Sequence, residues 1–90
     1  MIGGVTQTWQ DVTASRSAGV TYTNTTGKPI KISIQIQDST NHAIEVNGID
    51  VCRTDLYGTS GNFISLEAII PNGNTYKLRA SSFMYWVELR

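Results

Sequence analysis

The chain is poor in cysteine, histidine and charge. It has one cysteine and one histidine in 90 residues, and charged residues make up only 16% of it. A lone cysteine, Cys52, cannot form an internal disulfide, so the fold must close without covalent cross-links, and a reducing compartment is expected. A lone histidine, His42, cannot form a paired-imidazole site, although three copies could meet on a trimer axis. We therefore expect no metal and no cofactor.

The charge balance and the apolar runs exclude two classes of partner. Seven Lys and Arg balance seven Asp and Glu, and the basic residues are scattered rather than clustered, so nucleic-acid binding is not expected. The longest apolar run, residues 83–87, falls far short of the roughly 20 residues that span a bilayer, so we expect no membrane insertion. The N-terminus lacks a secretory signal pattern, so an extracellular role would need another export route, such as cell lysis.

What the chain has in quantity is β-branched and small polar residues. Ile, Val and Thr together account for 27 of the 90 residues, a composition typical of pleated surfaces. The clearest strand is 29–37, where four Ile alternate with polar residues, and Asn47-Gly48 between two alternating runs predicts a type I′ hairpin. The sequence therefore predicts an all-β domain over residues 1–90, a small antiparallel β-sandwich or jelly roll of about eight strands: 7–12, 20–24, 29–37, 42–46, 49–53, 62–70, 75–80 and 83–89.

The two-residue hairpin predicts a register. It places Ile44 and Val46 opposite Val51 and Ile49 on the core face. On the other face Glu45 lies opposite Asp50, a like-charge pair that is either solvated or covered by a cation.

The same register pairs His42 with Arg53, which puts His42 and Cys52 on opposite faces and disfavours a Cys–His nucleophile.

The C-terminal run, residues 82–90, has two apolar faces. Alternation assigns one face to Phe83, Tyr85, Val87 and Leu89, and leaves Met84 and Trp86 on the other face. A strand that is apolar on both faces is covered on both, here either by the N-terminal segment around Trp9 or by another subunit. Trp9, Met84 and Trp86 are therefore the predicted oligomer-interface residues.

No pattern in the chain indicates catalysis. Glu45 and Asp50 are expected on an open face that cannot separate their pKa values, and Gly3-Gly4 opens no phosphate-binding loop. Asn24-Thr25-Thr26 matches a glycosylation acceptor, which we take as a chance match. What remains is a solvent-facing surface rich in Thr, Ser, Asn and Gln, with aromatic residues that we expect to be exposed. Such a surface is suited to binding sugars or polar surfaces. The candidate ligand-binding residues lie in or beside two predicted loops: Asn41, His42, Asp55 and Tyr57.

Four segments in order carry a resemblance to a known family. They are residues 7–13, 19–30, 70–76 and 86–90, and the Val46-Asn47-Gly48 turn adds a fifth point of similarity. Together they resemble the C-terminal tip domains of bacteriophage and prophage tail-fibre proteins.

The resemblance implies a β-sandwich at the distal end of a tail fibre in the virion, made in the cytoplasm of a bacterial host and commonly homotrimeric. It implies attachment to a bacterial surface glycan or another host receptor without catalysis. Two alternatives are a purely structural domain that trimerises or caps the fibre, and a monomeric carbohydrate-binding module. The resemblance supplies no fixed binding positions.

Overall fold

A computed structural model of the chain describes residues 7–37, 42–53 and 63–90. These residues form eight strands and one short 3-10 helix, Thr13–Ser15, with no α-helix among them. The strands are β1 Trp9–Asp11, β2 Tyr22–Thr23, β3 Ile30–Gln37, β4 Ala43–Val46, β5 Ile49–Arg53, β6 Phe63–Ile70, β7 Thr75–Arg79 and β8 Tyr85–Leu89. The all-β prediction is confirmed, and each strand falls within a segment predicted to be extended.

The strands form two four-stranded sheets in which every pairing is antiparallel. The first sheet has the order β1-β8-β3-β6 and the second β2-β7-β4-β5, so the molecule is a small β-sandwich. The core lies between the sheets. It consists of the inward residues of β3, β4, β6, β7 and β8: Ile30, Ile32, Ile34, Ile36, Ile44, Val46, Leu66, Ala68, Ile70, Tyr76, Leu78 and Trp86.

Local turn chemistry places the connections. Asn47 and Gly48 have φ angles of 51° and 82°, the two left-handed conformations that a type I′ hairpin requires, as predicted. In the turn between β6 and β7 the Asn74 N–H donates to the Pro71 carbonyl at 3.1 Å, and Gly73 has a φ of 84°. Pro71 is therefore the first residue of a type II turn.

The predicted division of the last strand into two faces holds within β8, but the face that carries Trp86 is the core side and not the outer side. β8 pairs with β3 so that Trp86 lies opposite Ile34 and Glu88 opposite Ile32, on the core side of the sheet. Trp86 is fully buried, whereas Tyr85 is 47% exposed. Trp86 is therefore a core residue and not an oligomer-interface residue. The alternation itself holds, and the choice of the inward face failed because a glutamate is expected to face outward, whereas Glu88 is buried.

The predicted register of the β4–β5 hairpin holds only next to the turn. Val46 lies opposite Ile49, but a bulge beyond Glu45 then shifts the pairing by one residue. The extra residue places Cys52, and not Val51, opposite Ile44 and against the core. Ile49 and Val51 are both at least half exposed, so the prediction that they belong to the core is wrong.

The shifted pairing also moves Cys52. It lies opposite Ile44, with Ala43 opposite Arg53. The register that paired His42 with Arg53, and so separated His42 from Cys52, is therefore wrong at this end of the hairpin.

None of the helical structure within residues 7–37, 42–53 and 63–90 is long and apolar enough to cross a membrane.

Candidate functional site

Most of the predicted ligand-binding residues lie outside the part of the chain that the structure describes. These are Asn41, Asp55 and Tyr57. His42, directly before β4, is partly buried, and its Nδ1 atom is buried with no hydrogen-bond partner among the described residues. The loop prediction for ligand binding therefore stays a prediction, and the described residues present a different surface.

That surface is the solvent side of the first sheet, called here the outer face. Strand pairing arranges its side chains in rows that cross the sheet. The rows are Trp9, Leu89, Lys31 and Ile69; then Asp11, Val87, Ser33 and Glu67; then Tyr85, Gln35 and Ser65; and finally Gln37 and Phe63. The face exists because β3 alternates strictly, with each Ile directed into the core and each intervening polar residue outward.

The outer face is partly aromatic and close to electrically neutral. Trp9 is 52% exposed and Tyr85 47%. Lys31 and Glu67 form an ion pair at 3.2 Å across neighbouring strands. Asp11 accepts hydrogen bonds from the Thr13 hydroxyl at 2.7 Å and the Thr13 N–H at 3.0 Å, and these bonds lower the pKa of Asp11. A partner that lies against this face meets one ion pair and one hydrogen-bonded carboxylate, so it strips water from few charges.

Two of the three predicted interface residues are exposed: Trp9 on the outer face and Met84 beside it. They are not adjacent to each other. Trp9 pairs with Leu89 at the end of β8. Met84 is 50% exposed and lies just before β8, where its N–H donates to the Gln35 carbonyl at 2.8 Å. Trp9 and Met84 thus flank the two ends of β8.

Glu88 lies behind the outer face, and its carboxylate is surrounded by five donor groups. Arg16 binds it through two nitrogens, with Nε and Nη2 each 3.1 Å from a carboxylate oxygen. The Arg90 guanidinium donates at 2.9 Å, the Tyr76 hydroxyl at 3.0 Å and the Trp86 indole N–H at 3.1 Å. Because Tyr76 belongs to the second sheet, this cluster ties the two sheets to each other and to the β1–β2 connection.

The cluster changes the ionisation of its neighbours. Burial and then the charge of Glu88 raise the pKa of Tyr76. Burial lowers the pKa of Arg16, but the hydrogen bonds and charge of Glu88 outweigh it, and the pKa ends above its usual value. The Arg16 guanidinium also lies over the Tyr22 ring, 4.8 Å from its centroid. Glu88 is therefore a paired internal charge that organises the sandwich.

The pKa of Tyr76 predicts a loss of stability at alkaline pH. The unfolded chain releases the tyrosine proton near pH 10 while the folded chain retains it, so the stabilisation is complete below about pH 10 and declines as the pH rises through the higher folded pKa. Urea unfolding at a series of pH values should show this decline. Tyr76→Phe should flatten it, with Tyr85→Phe, an exposed tyrosine on β8, as the control. An unchanged decline in Tyr76→Phe would assign it to other groups.

The second sheet contains the predicted like-charge pair of Glu45 and Asp50. Glu45 lies opposite Asp50, as predicted. Arg79 from β7 lies between them, with Nη1 2.8 Å from Asp50 and 3.6 Å from Glu45, and Lys77 is 3.9 Å from Glu45. The covering cation therefore comes from the same chain, and the pair forms a surface ion-pair network.

Sequence reasoning missed Glu88 and Asn24 as organising residues. The available signal for Glu88 was its position inside an apolar strand with arginines elsewhere to pair with it. For Asn24 the chain offers only the turn-forming Thr25-Thr26-Gly27 that follows. No group of three or more metal-ligating side chains occurs within the described ranges.

Comparison with known proteins adds no further assignment. No protein-family model, curated protein or solved structure matches this chain. The class that fold and surface define is a small antiparallel β-sandwich with one partly aromatic, near-neutral sheet face.

Proposed function

We propose that this chain is a non-enzymatic attachment domain at the tip of a bacteriophage tail fibre, and that it binds a bacterial surface glycan or another host receptor as a homotrimer. The resemblance of residues 7–13, 19–30, 70–76 and 86–90 to tail-fibre tip domains supports the assignment. The observation that carries it is the outer face, where exposed aromatic rings stand beside uncharged amide and hydroxyl groups.

The chemistry of the outer face suits a neutral sugar polymer. An aromatic ring packs on the apolar face of a sugar, and amide or hydroxyl groups exchange hydrogen bonds with its hydroxyls. Trp9 and Tyr85 supply the rings, and Ser33 and Gln35 the polar groups. Individually weak sites gain strength from three linked copies.

Replacing the exposed rings should weaken attachment. We expect Trp9→Ala and Tyr85→Ala each to weaken binding to isolated host-surface polysaccharide by about tenfold, a loss of about 1.4 kcal/mol per ring. Glycan arrays and whole-cell binding provide the measurement.

Ile49→Ala is the matched control, since it removes an exposed apolar side chain from the second sheet. Unchanged binding in both outer-face variants, with loss in Tyr57→Ala or Asp55→Ala, would move the site to the predicted loop. If the wild-type chain binds no bacterial surface, the attachment role is wrong.

A second candidate function is structural: the domain trimerises and caps the fibre without contacting a receptor. The exposed Met84 and Trp9 at the two ends of β8 favour it. Light scattering separates the candidates. A trimer that binds no surface supports the cap, and a monomer that binds sugar supports a solitary carbohydrate-binding module.

A further inference from the structure

The sandwich has four edge strands within the described residues, and three of them are poor templates for pairing. β1 has three residues and β2 has two. β5 carries a bulge in its pairing with β4 and the charged side chains of Asp50 and Arg53. Short strands, bulges and charges are the usual means by which β-proteins prevent their edges from pairing with other chains.

The fourth edge strand, β6, is neither short nor bulged, and it carries a single charge. It runs for eight residues, Phe63–Ile70, and pairs with β3 along its whole length without a bulge. It contains no proline and no lysine, and its one charged residue, Glu67, is already paired with Lys31. Its other side pairs with no strand in the described part of the chain. A long edge of this kind, without a bulge and with one charge, is a template for another strand.

The outward residues of β6 determine which strand can pair with this edge, and in which register. They are Phe63, Ser65, Glu67 and Ile69. If a second copy of β6 pairs antiparallel with Leu66 opposite Leu66, then Phe63 lies opposite the partner's Ile69 and Ser65 opposite the partner's Glu67.

The neighbouring registers give less favourable pairs of side chains across the two strands. A shift of two residues in one direction places Glu67 opposite the partner's Glu67, and in the other direction places Phe63 opposite the partner's Glu67. A shift of one residue would bring core-facing residues opposite outward ones. The strand is therefore complementary to itself in one register.

A depression at this edge fits the same arrangement. It has a volume of about 370 Å³ and is lined by Lys31, Val51, Glu67, Ala68 and Ile69. Val51 and Ile69 are at least half exposed there. In the self-paired register the partner's Phe63 lies opposite Ile69, at the rim of this depression, and its ring can fill the space.

We propose that the β6 edge binds the β6 edge of a second copy of this chain, in antiparallel register about Leu66, to form a continuous eight-stranded sheet. The contact is isologous, so each copy offers the same edge and the assembly has an even number of chains. It joins two domains, or two trimeric tips. It does not depend on receptor binding.

The test is the mass of the full 90-residue chain in solution. Sedimentation velocity at concentrations up to about 1 mM should show wild-type chain in a dimer, or in a hexamer if trimers also form. Ser65→Glu places a carboxylate opposite the partner's Glu67 twice in each dimer, which should raise the dissociation constant about tenfold. The double variant Ser65→Glu with Glu67→Lys makes both pairs opposite in charge, so it should restore pairing.

Thr23→Glu is the matched control, because it adds the same charge to β2 at the far edge of the sandwich, and it should leave the mass unchanged. A wild-type monomer across this range overturns the proposal. So does an assembly, trimeric or even-numbered, that Ser65→Glu leaves intact. Receptor binding is measured separately, so failure of the edge contact and failure of the attachment role remain distinguishable.

Discussion

Glu88→Ala should destabilise the protein by about 3–5 kcal/mol, the cost of removing one partner from a buried ion pair. The carboxylate of Glu88 is completely buried, and Arg16, which binds it through two nitrogens, is 13% exposed. Without the carboxylate the guanidinium of Arg16 keeps its charge in a poorly hydrated place. The Tyr76 hydroxyl and the Trp86 indole N–H also lose their acceptor. A domain of this length has a total stability of about 5–13 kcal/mol, so the loss is a large fraction of it.

Urea unfolding followed by tryptophan fluorescence measures this loss, since Trp86 donates to the same carboxylate. Glu88→Gln keeps the side-chain volume and one acceptor oxygen, so its loss should be smaller, and it keeps the test open if Glu88→Ala does not fold. Glu67→Gln is the control. Glu67 also pairs with a cation on the first sheet, but it is 53% exposed, so its loss should stay below about 1 kcal/mol. Equal losses at the two glutamates would contradict the importance of burial.

Asn24→Ala should cost about 3 kcal/mol, because it removes the four hydrogen bonds made by a fully buried side chain. The Asn24 side chain is fully buried. Its amide nitrogen donates to the carbonyls of Lys28 at 2.8 Å and Ile70 at 2.9 Å. Its carbonyl oxygen accepts from the N–H of Thr26 at 3.1 Å and the Thr26 hydroxyl at 2.8 Å. One side chain thus fastens the turn before β3 to the end of β6.

Asn72→Ala is the control for this prediction. Asn72 is exposed and accepts one hydrogen bond, from the Gly27 N–H at 3.0 Å, so its loss should be near 1 kcal/mol. Asn24→Asp should be at least as damaging as Asn24→Ala, since it replaces both amide donors with an anion facing two carbonyls. If Asn24→Ala and Asn72→Ala unfold at the same urea concentration, the structural role of Asn24 is wrong.

The same contacts explain why the Asn24-Thr25-Thr26 sequence is a chance glycosylation match. A glycan would have to be attached to the amide nitrogen of Asn24, and in the fold that nitrogen is buried and donates two hydrogen bonds. The folded domain therefore offers no acceptor at this position.

The strands and their turns could be predicted from the sequence because both depend on near neighbours. The period-two pattern of 30–37 needs only a core on one side, and the Asn47-Gly48 turn needs only two residues that tolerate positive φ. The outward positions Ser33, Gln35 and Gln37 follow from the same alternation, so part of the outer face could be predicted as well.

What the sequence by itself determined is an all-β chain of eight strands, with uncharged outward residues along β3. Only the tertiary structure decided which way β8 turns, where the β4–β5 pairing slips and why Asn24 is buried. Arg16 and Glu88 are 72 positions apart. The donors that Glu88 receives from Arg16, Tyr76, Trp86 and Arg90 make a glutamate acceptable in the core, and Trp86 lies inward with it. Local patterns show whether each residue prefers water or a core. They do not show a distant partner that reverses that preference.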